Sequence, residues 1–234
     1  RLSRGLGDVY KRQALSNAHR KRGRVHDALQ ACRTAEDIAA ETADPALMGQ
    51  CAWEIGMCLT NSGDLPGALA NMKRAVKASR RASDPILLAG TLLRLGYTQL
   101  NLGHPDEAEV SIQRAEAIYR AQSVRVGAAN CANARGELLR KRGDLIGAAA
   151  AYRSAIEDHA GTSLVLLNRL NLGICLDLCG DPAGALAIYR AVLPEVTRMG
   201  WENLIGATHS LILPVAAALS DWQTFEVHAE AAEE

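Results

Sequence analysis

Six cysteines, six histidines and two basic runs are the residues whose chemistry must be settled first. Cys175 and Cys179 stand one helical turn apart, a spacing that offers half of a thiolate zinc site. Such a site needs a second pair, no Cys-x2-Cys motif occurs, and no other pair completes it. The cysteines instead follow an internal period. Cys51 and Cys131 fall at one repeat position, and Cys58 and Cys175 at another, where other copies hold Thr91 and Thr98. These are places for small packed side chains, and free thiols there suit a reducing compartment, so a cytoplasmic location is expected. The histidines (His19, His26, His104, His159, His209 and His228) have no partner at metal-ligand or triad spacing. A catalytic reading needs a convergent acid, base or nucleophile, and the sequence offers none. The phosphate-loop pattern Gly-x4-Gly-Lys-Ser/Thr is also absent. The chain is therefore expected to be no enzyme, with no catalytic, cofactor-binding or metal-binding residues.

Arg20-Lys21-Arg22 and Arg140-Lys141-Arg142 lie 120 residues apart, each just before a glycine. Cations favour a helix C-terminus through the macrodipole, so both runs read as solvated helix ends, with a patch for an acidic partner as the alternative. Charge argues against nucleic acid. The 234 residues balance 26 basic against 26 acidic side chains. Residues 1–13 contribute Arg1, Arg4, Lys11, Arg12 and Asp8, and without them the balance is 22 against 25. A nucleic-acid binder is normally basic. No apolar stretch approaches the ~20 residues of a membrane span; the longest, Leu211 to Leu219, is interrupted by Pro214. Aromatics at 4% and an Ala/Leu/Arg/Glu-rich composition exclude a β-sandwich and point to helices.

The glycines reveal the organisation. Gly-x6-Gly-x4-Ala recurs as Gly56/Gly63/Ala68, Gly96/Gly103/Ala108, Gly136/Gly143/Ala148 and Gly173/Gly180/Ala185. Successive copies start 40, 40 and 37 residues apart. Gly23 and Ala28 belong to an incomplete earlier copy, and Ser220 and Phe225 occupy the places in a degenerate later one. A glycine in mid-helix costs roughly 0.5–1 kcal/mol against alanine, so the first glycine of each copy must permit a close helix approach that offsets it. The second marks a helix end in the left-handed region, followed by Asp64, Asp144 or Asp181 as the next N-cap. Pro105 and Pro182 suit a first helical turn. Apolar residues then recur at spacings of three and four, as in Ala68, Met72, Ala75, Val76 and in Ala185, Tyr189, Val192, Leu193. Asp44-Pro45 and Asp84-Pro85 close one hairpin and open the next.

At these residues the chain resembles the tetratricopeptide repeat family. The resemblance implies an all-α fold, an α-α superhelix or solenoid of about five to six helix-turn-helix repeats with a period of ~40 residues. Repeats are expected at 14–43, 44–83, 84–123, 124–161, 162–200 and 201–234. Departures are Cys32 at an aromatic place, Arg135 where Leu or Ile precedes Gly, and Leu213-Pro214 where Gly is expected, which makes the sixth copy a cap or a modified repeat. The family's concave face is lined by the first helix of each pair, and its register implies a peptide-binding groove with Trp53, Met57, Leu93, Tyr97, Asn130, Asn133, Glu137 and Arg140. Trp53 and Tyr97 are the expected anchors; the alternative is that they pack between repeats. Only Arg94 matches the set with which some relatives hold a C-terminal carboxylate, so that mode is not expected.

A narrower resemblance rests on Leu167-Asn168-Arg169-Leu170-Asn171-Leu172-Gly173 with Gly180-Asp181, and on Gly206 to Pro214 followed by Asp221-Trp222. These stretches resemble the C-terminal repeat region of large bacterial serine/threonine protein kinases that also carry an ATPase module. The resemblance implies the sensor or scaffold arm of a larger signalling protein, with a protein or peptide partner, no nucleic acid, no membrane and no cofactor. The ligand-sensing repeat domain of an ATPase-type transcriptional activator is the other reading. Residues Asp8 to Gln13 can be encoded by GATGTGTATAAGAGACAG, which resembles the transposon end used in sequencing libraries. Residues 1–13 are accordingly expected to be an adapter-derived artefact fused to a gene fragment, which is why their charges are counted apart. Both ends then look cut, with apolar faces and self-association through them as the expected consequence.

Overall fold

The structure is a computed structural model describing residues 2–21, 24–158 and 164–233. Among these residues there are twelve α-helices and no strand. They form two compact units, up to Gly127 and from Ala128 onward, and the division falls inside one helix.

The first unit holds α1 (Leu2–Lys21), α2 (Val25–Thr42), α3 (Pro45–Asn61), α4 (Leu65–Arg81), α5 (Pro85–Asn101), α6 (Pro105–Ala121) and the start of α7 (Arg125–Lys141). Each of α1 to α5 packs on the next in the chain, and the odd-numbered helices also touch in order, α1 with α3 and α3 with α5. The second unit holds the rest of α7 with α8 (Leu145–Asp158), α9 (Leu164–Leu178), α10 (Pro182–Arg198), α11 (Glu202–Ala218) and α12 (Trp222–Glu233). There the same sequential packing runs from α8 to α12, and α9 touches α11. The repeat is thus a stack of antiparallel hairpins within each unit.

The turns explain the helix ends. Gly63, Gly103, Gly143 and Gly180 all have left-handed φ, from 78 to 85°. Ser220, in the degenerate copy, adopts the same conformation at φ 56° despite its Cβ. The following aspartates cap as the spacing requires: Asp64, Asp144 and Asp181 accept from the backbone N–H of Gly67, Gly147 and Gly184 at 2.8–2.9 Å. Asp44 and Asp84 do the same for Ala46 and Leu87 ahead of α3 and α5. Such a cap is worth ~1 kcal/mol. His104 takes the position before α6 without a side-chain hydrogen bond, and Pro105 fills the first turn there.

The mid-helix glycines lie at the hairpin crossings. A Cβ built on Gly56 would come 2.9 Å from Met72 Cε, one on Gly96 2.8 Å from Ile112 Cγ1, and one on Gly136 2.7 Å from Tyr152 Cε1. Gly173 faces Tyr189 in the same way. The sequence reading assigned the gap to backbones in close approach. The structure fills it with a large side chain of the second helix, while Ala68 O and Ala108 O come to 3.4 Å at Gly56 and Gly96. In the first hairpin the place of Gly56 is taken by Ser16, fully buried, whose Oγ lies 2.9 Å from Cys32 Sγ. In the last, Leu213 stands in the glycine place and Ala229 in that of Tyr189. α11 runs through Pro214 unbroken. Residues 2–13 belong to α1, and Val9 is buried with Ala35, Ala39, Leu47 and Cys51.

Gly96→Leu should drive a branched side chain into Ile112 and Ala108 O and cost about 1–3 kcal/mol, the range of core overpacking. A thermal melt should show a lowered Tm; an unchanged Tm would contradict the crossing geometry.

Candidate functional site

The first-helix face carries most of the expected groove residues, and the two units present different chemistry there. In the first unit Trp53 and Met57 lie half-buried on α3, and Tyr97 half-buried on α5. Leu93 is 5% exposed and belongs to the core, which removes it from the surface a ligand meets. Trp53 leans on the next hairpin: a Cβ on Gly90 would be 3.5 Å from its indole and 3.3 Å from Tyr119 Oη. The indole therefore packs between repeats while part of its surface stays open. The Arg94 guanidinium lies 5.9 Å from the Tyr97 ring centroid, within cation–π range, which holds that ring on the open face.

In the second unit Asn130, Asn133, Glu137 and Arg140 are half-buried along α7. The Asn133 amide donates to Asn168 Oδ1, and Asn168, 1% exposed, donates on to Leu164 O at 3.3 Å. This chain ties α7 to α9 through buried polar groups, a use the sequence reading did not foresee. Arg140 hydrogen-bonds the Tyr152 phenol oxygen. Its Nε is buried and meets no acceptor among the described residues. Tyr152 passes under Gly136 to reach this arginine, so the mid-helix glycine also makes room for a contact that holds a half-buried side chain of α7. Burial raises the Tyr152 phenol to about 12, with Arg140 opposing the shift. Burial likewise raises Tyr189, helped by Asp177. On α9, Leu167 is 41% exposed and Ile174 and Asp177 half-buried, whereas Leu170 is buried.

Five cysteines are buried and Cys179 is exposed. Cys32 is pushed up by its contact with Cys58 and by burial, and burial raises Cys51 to about 11 and Cys175 as well. Thiols held protonated in this way are packing residues, not nucleophiles. No group of three or more His, Cys, Asp or Glu among the described residues is placed to hold a metal.

One pair was missed. His209 on α11 and His228 on α12 meet with Nδ1 atoms 2.7 Å apart. Nineteen residues separate them, a spacing with meaning only once the hairpin register is known. Nearby, Arg190 of α10 binds Asp221 Oδ2 at 3.0 Å and Thr224 Oγ1 at 2.6 Å, fixing the start of α12. Hydrogen bonds from Thr224 and then Arg190 hold the Asp221 carboxyl below its usual range. His228 titrates below the ordinary 6.5, chiefly through burial and then through the charges of His209 and Arg190.

The hairpin geometry is shared with solved structures. A Podosopora anserina putative kinesin light chain with nearly identical TPR-like repeats aligns at TM-score 0.65 and 15% identity, covering 81% of this chain and 96% of that one. A Rap protein complexed with competence and sporulation factor aligns at TM-score 0.63 and 17% identity, covering 91% and 66%. A signal transduction ATPase with numerous domains and a tetratricopeptide repeat sensor, from Pyrococcus horikoshii, aligns at TM-score 0.70 and 12% identity, covering 97% of this chain and 36% of that one. The fold is that of the tetratricopeptide-like, all-α helical repeats. No protein-family model matches the chain, and comparison with the curated proteins finds no match. No helix among the described residues is long and apolar enough to cross a membrane.

A base whose folded pKa is depressed adds stability that is full above its unfolded value and is lost as pH falls through the folded one. Acidification from pH 7 to 5 should therefore destabilise the wild-type chain more than His228→Gln, read from urea midpoints at each pH. Equal losses in the two proteins would contradict the assignment.

Proposed function

We propose that this chain is a protein–protein interaction scaffold that holds a peptide segment of its partner along the first-helix face of its repeats. The observation that carries this reading is the set of half-buried aromatic and apolar side chains, Trp53, Met57 and Tyr97, held on α3 and α5 by rigid hairpins. Large rings with little conformational freedom left to lose make efficient anchors. Asn130, Glu137 and Arg140 are polar groups on the first-helix face of the second unit, where the Arg140 Nε is buried with no acceptor among the described residues. In this reading the chain itself is non-catalytic, works in the cytoplasm, binds no cofactor, nucleic acid or membrane, and spans repeats from residue 14 onward. Residues 1–13 are taken as adapter-derived. Trp222 and Val227, 59% and 60% exposed on α12, favour self-association as a secondary contact.

The scaffold is read as the sensor or scaffold arm of a larger bacterial signalling protein such as a serine/threonine kinase. The motifs at Leu167–Gly173 and Gly206–Trp222 support it. The ATPase with a repeat sensor among the structural neighbours supports the second reading, a ligand-sensing repeat domain of an ATPase-type transcriptional activator. The intact gene separates the two: kinase motifs upstream favour the first, a helix-turn-helix downstream the second.

Peptides selected from a displayed library against the whole chain provide the test. The double substitution Trp53→Ala/Tyr97→Ala should weaken the selected peptides tenfold or more by fluorescence anisotropy, with helicity by circular dichroism retained. Unchanged affinity would place the binding face elsewhere, and a large loss of helix would make both rings core residues.

A further inference from the structure

His209 and His228 are a polar pair beside an apolar core of Ile212, Val215, Ala216 and Phe225. Their Nδ1 atoms are 2.7 Å apart, the ring centroids 4.9 Å apart, and the planes inclined at 48°. With one hydrogen between two like nitrogens, one ring carries its proton on Nδ1 and the other on Nε2. Helix packing does not ask for this pair. One repeat earlier the same register places hold Arg169 and Ile188, of which the first pairs with Glu195 at 3.0 Å and the second is a plain core contact. Both histidines are half-buried, so solvent reaches them. The helices that carry them are held in place independently, by Ile212, Val215 and Phe225 in the surrounding core and by Arg190 on Asp221 and Thr224.

We propose that His209 and His228 form a two-imidazole clamp for a divalent transition-metal ion of the zinc, nickel and copper class, bridging α11 and α12. Imidazole nitrogen is a preferred ligand for these ions, whereas calcium and magnesium demand oxygen. Metal–nitrogen bonds of about 2.0–2.1 Å at a tetrahedral angle put the two nitrogens about 3.3 Å apart. The rings need to separate by only about 0.6 Å from their present contact, a small side-chain rotation. On binding, the ring that donated its Nδ1 proton takes one on Nε2 through water, and both Nδ1 lone pairs then face the ion. No proton is released overall when both rings start neutral. Two protein ligands leave the other positions to water. Around the pair, Arg190 from α10 is the cation that opposes the ion, and Asp221 partly neutralises it at 3.0 Å.

The test uses the whole chain, stripped of metal and titrated with zinc chloride or nickel chloride at pH 7.5 by calorimetry, with thermal melts in parallel. The expected result is one saturable ion per chain, a raised Tm, no effect of magnesium, and at least tenfold weaker binding in H209A and in H228A. Where an alanine variant melts early without metal, H209Q and H228Q keep the side-chain volume and decide the matter. H104A, a histidine on the first unit, should bind as wild type does. Metal stabilisation should also vanish as pH falls below about 6, where protons compete for imidazole. Absence of a saturable site, or wild-type affinity in the His209 and His228 variants, overturns the proposal. So does loss of binding in H104A.

Discussion

The structure depends on how one small volume is shared where the two helices of each hairpin cross. In the hairpins with a mid-helix glycine, the first helix gives up its side chain and the second supplies a large one: Met72 at Gly56, Ile112 at Gly96, Tyr152 at Gly136, Tyr189 at Gly173. The ends of the series vary the partition. Ser16 meets Cys32, two small polarisable groups in contact, and in the last hairpin the order is reversed, with Leu213 on the first helix and Ala229 in the tyrosine place. Core packing at near-crystalline density tolerates little change in total volume but considerable redistribution of it. The helical cost of each glycine is offset by the burial of a side chain such as Tyr152 or Tyr189, each 1% exposed.

This constraint links the fold to the first-helix face. A tyrosine that passes beneath a glycine brings its phenol to the first helix's own side chains, and Tyr152 thereby holds Arg140. The Asp44 and Asp84 caps set where α3 and α5 start, and so where Trp53 and Tyr97 stand along them. The asymmetry between the units follows from the residues on that face. Aromatic and thioether surface marks α3 and α5, amides and opposite charges mark α7.

The helices, turns and caps were legible because each follows from a local rule with a fixed offset: glycine to left-handed turn, aspartate to N-cap, apolar spacing to buried stripe. The burial of Cys51, Cys58, Cys131 and Cys175 was legible for the same reason, since the period placed them at positions that hold Thr91 and Thr98 in another copy. What eluded the sequence depends on contacts between elements. Leu93 shares a register place with Trp53 but turns out buried, because its exposure is set by the helices around it and not by its position in the repeat. Asn133 looks like a ligand contact in one dimension and is bonded to Asn168 in three. Ser16 was hidden because a serine in the glycine place has no pattern of its own, and His209 and His228 because their spacing is meaningful only after the hairpin closes.

The most direct measurement is a double-mutant cycle that imposes the last hairpin's arrangement on the one before it. Gly173→Leu alone should overpack the crossing, and Tyr189→Ala alone should leave a cavity costing about 3–5 kcal/mol. Made together, they should recover part of the combined loss, with a coupling energy of about 1–3 kcal/mol in urea denaturation. Strictly additive losses would mean that the two side chains do not share a volume, and the crossing rule that organises every hairpin would fail with them.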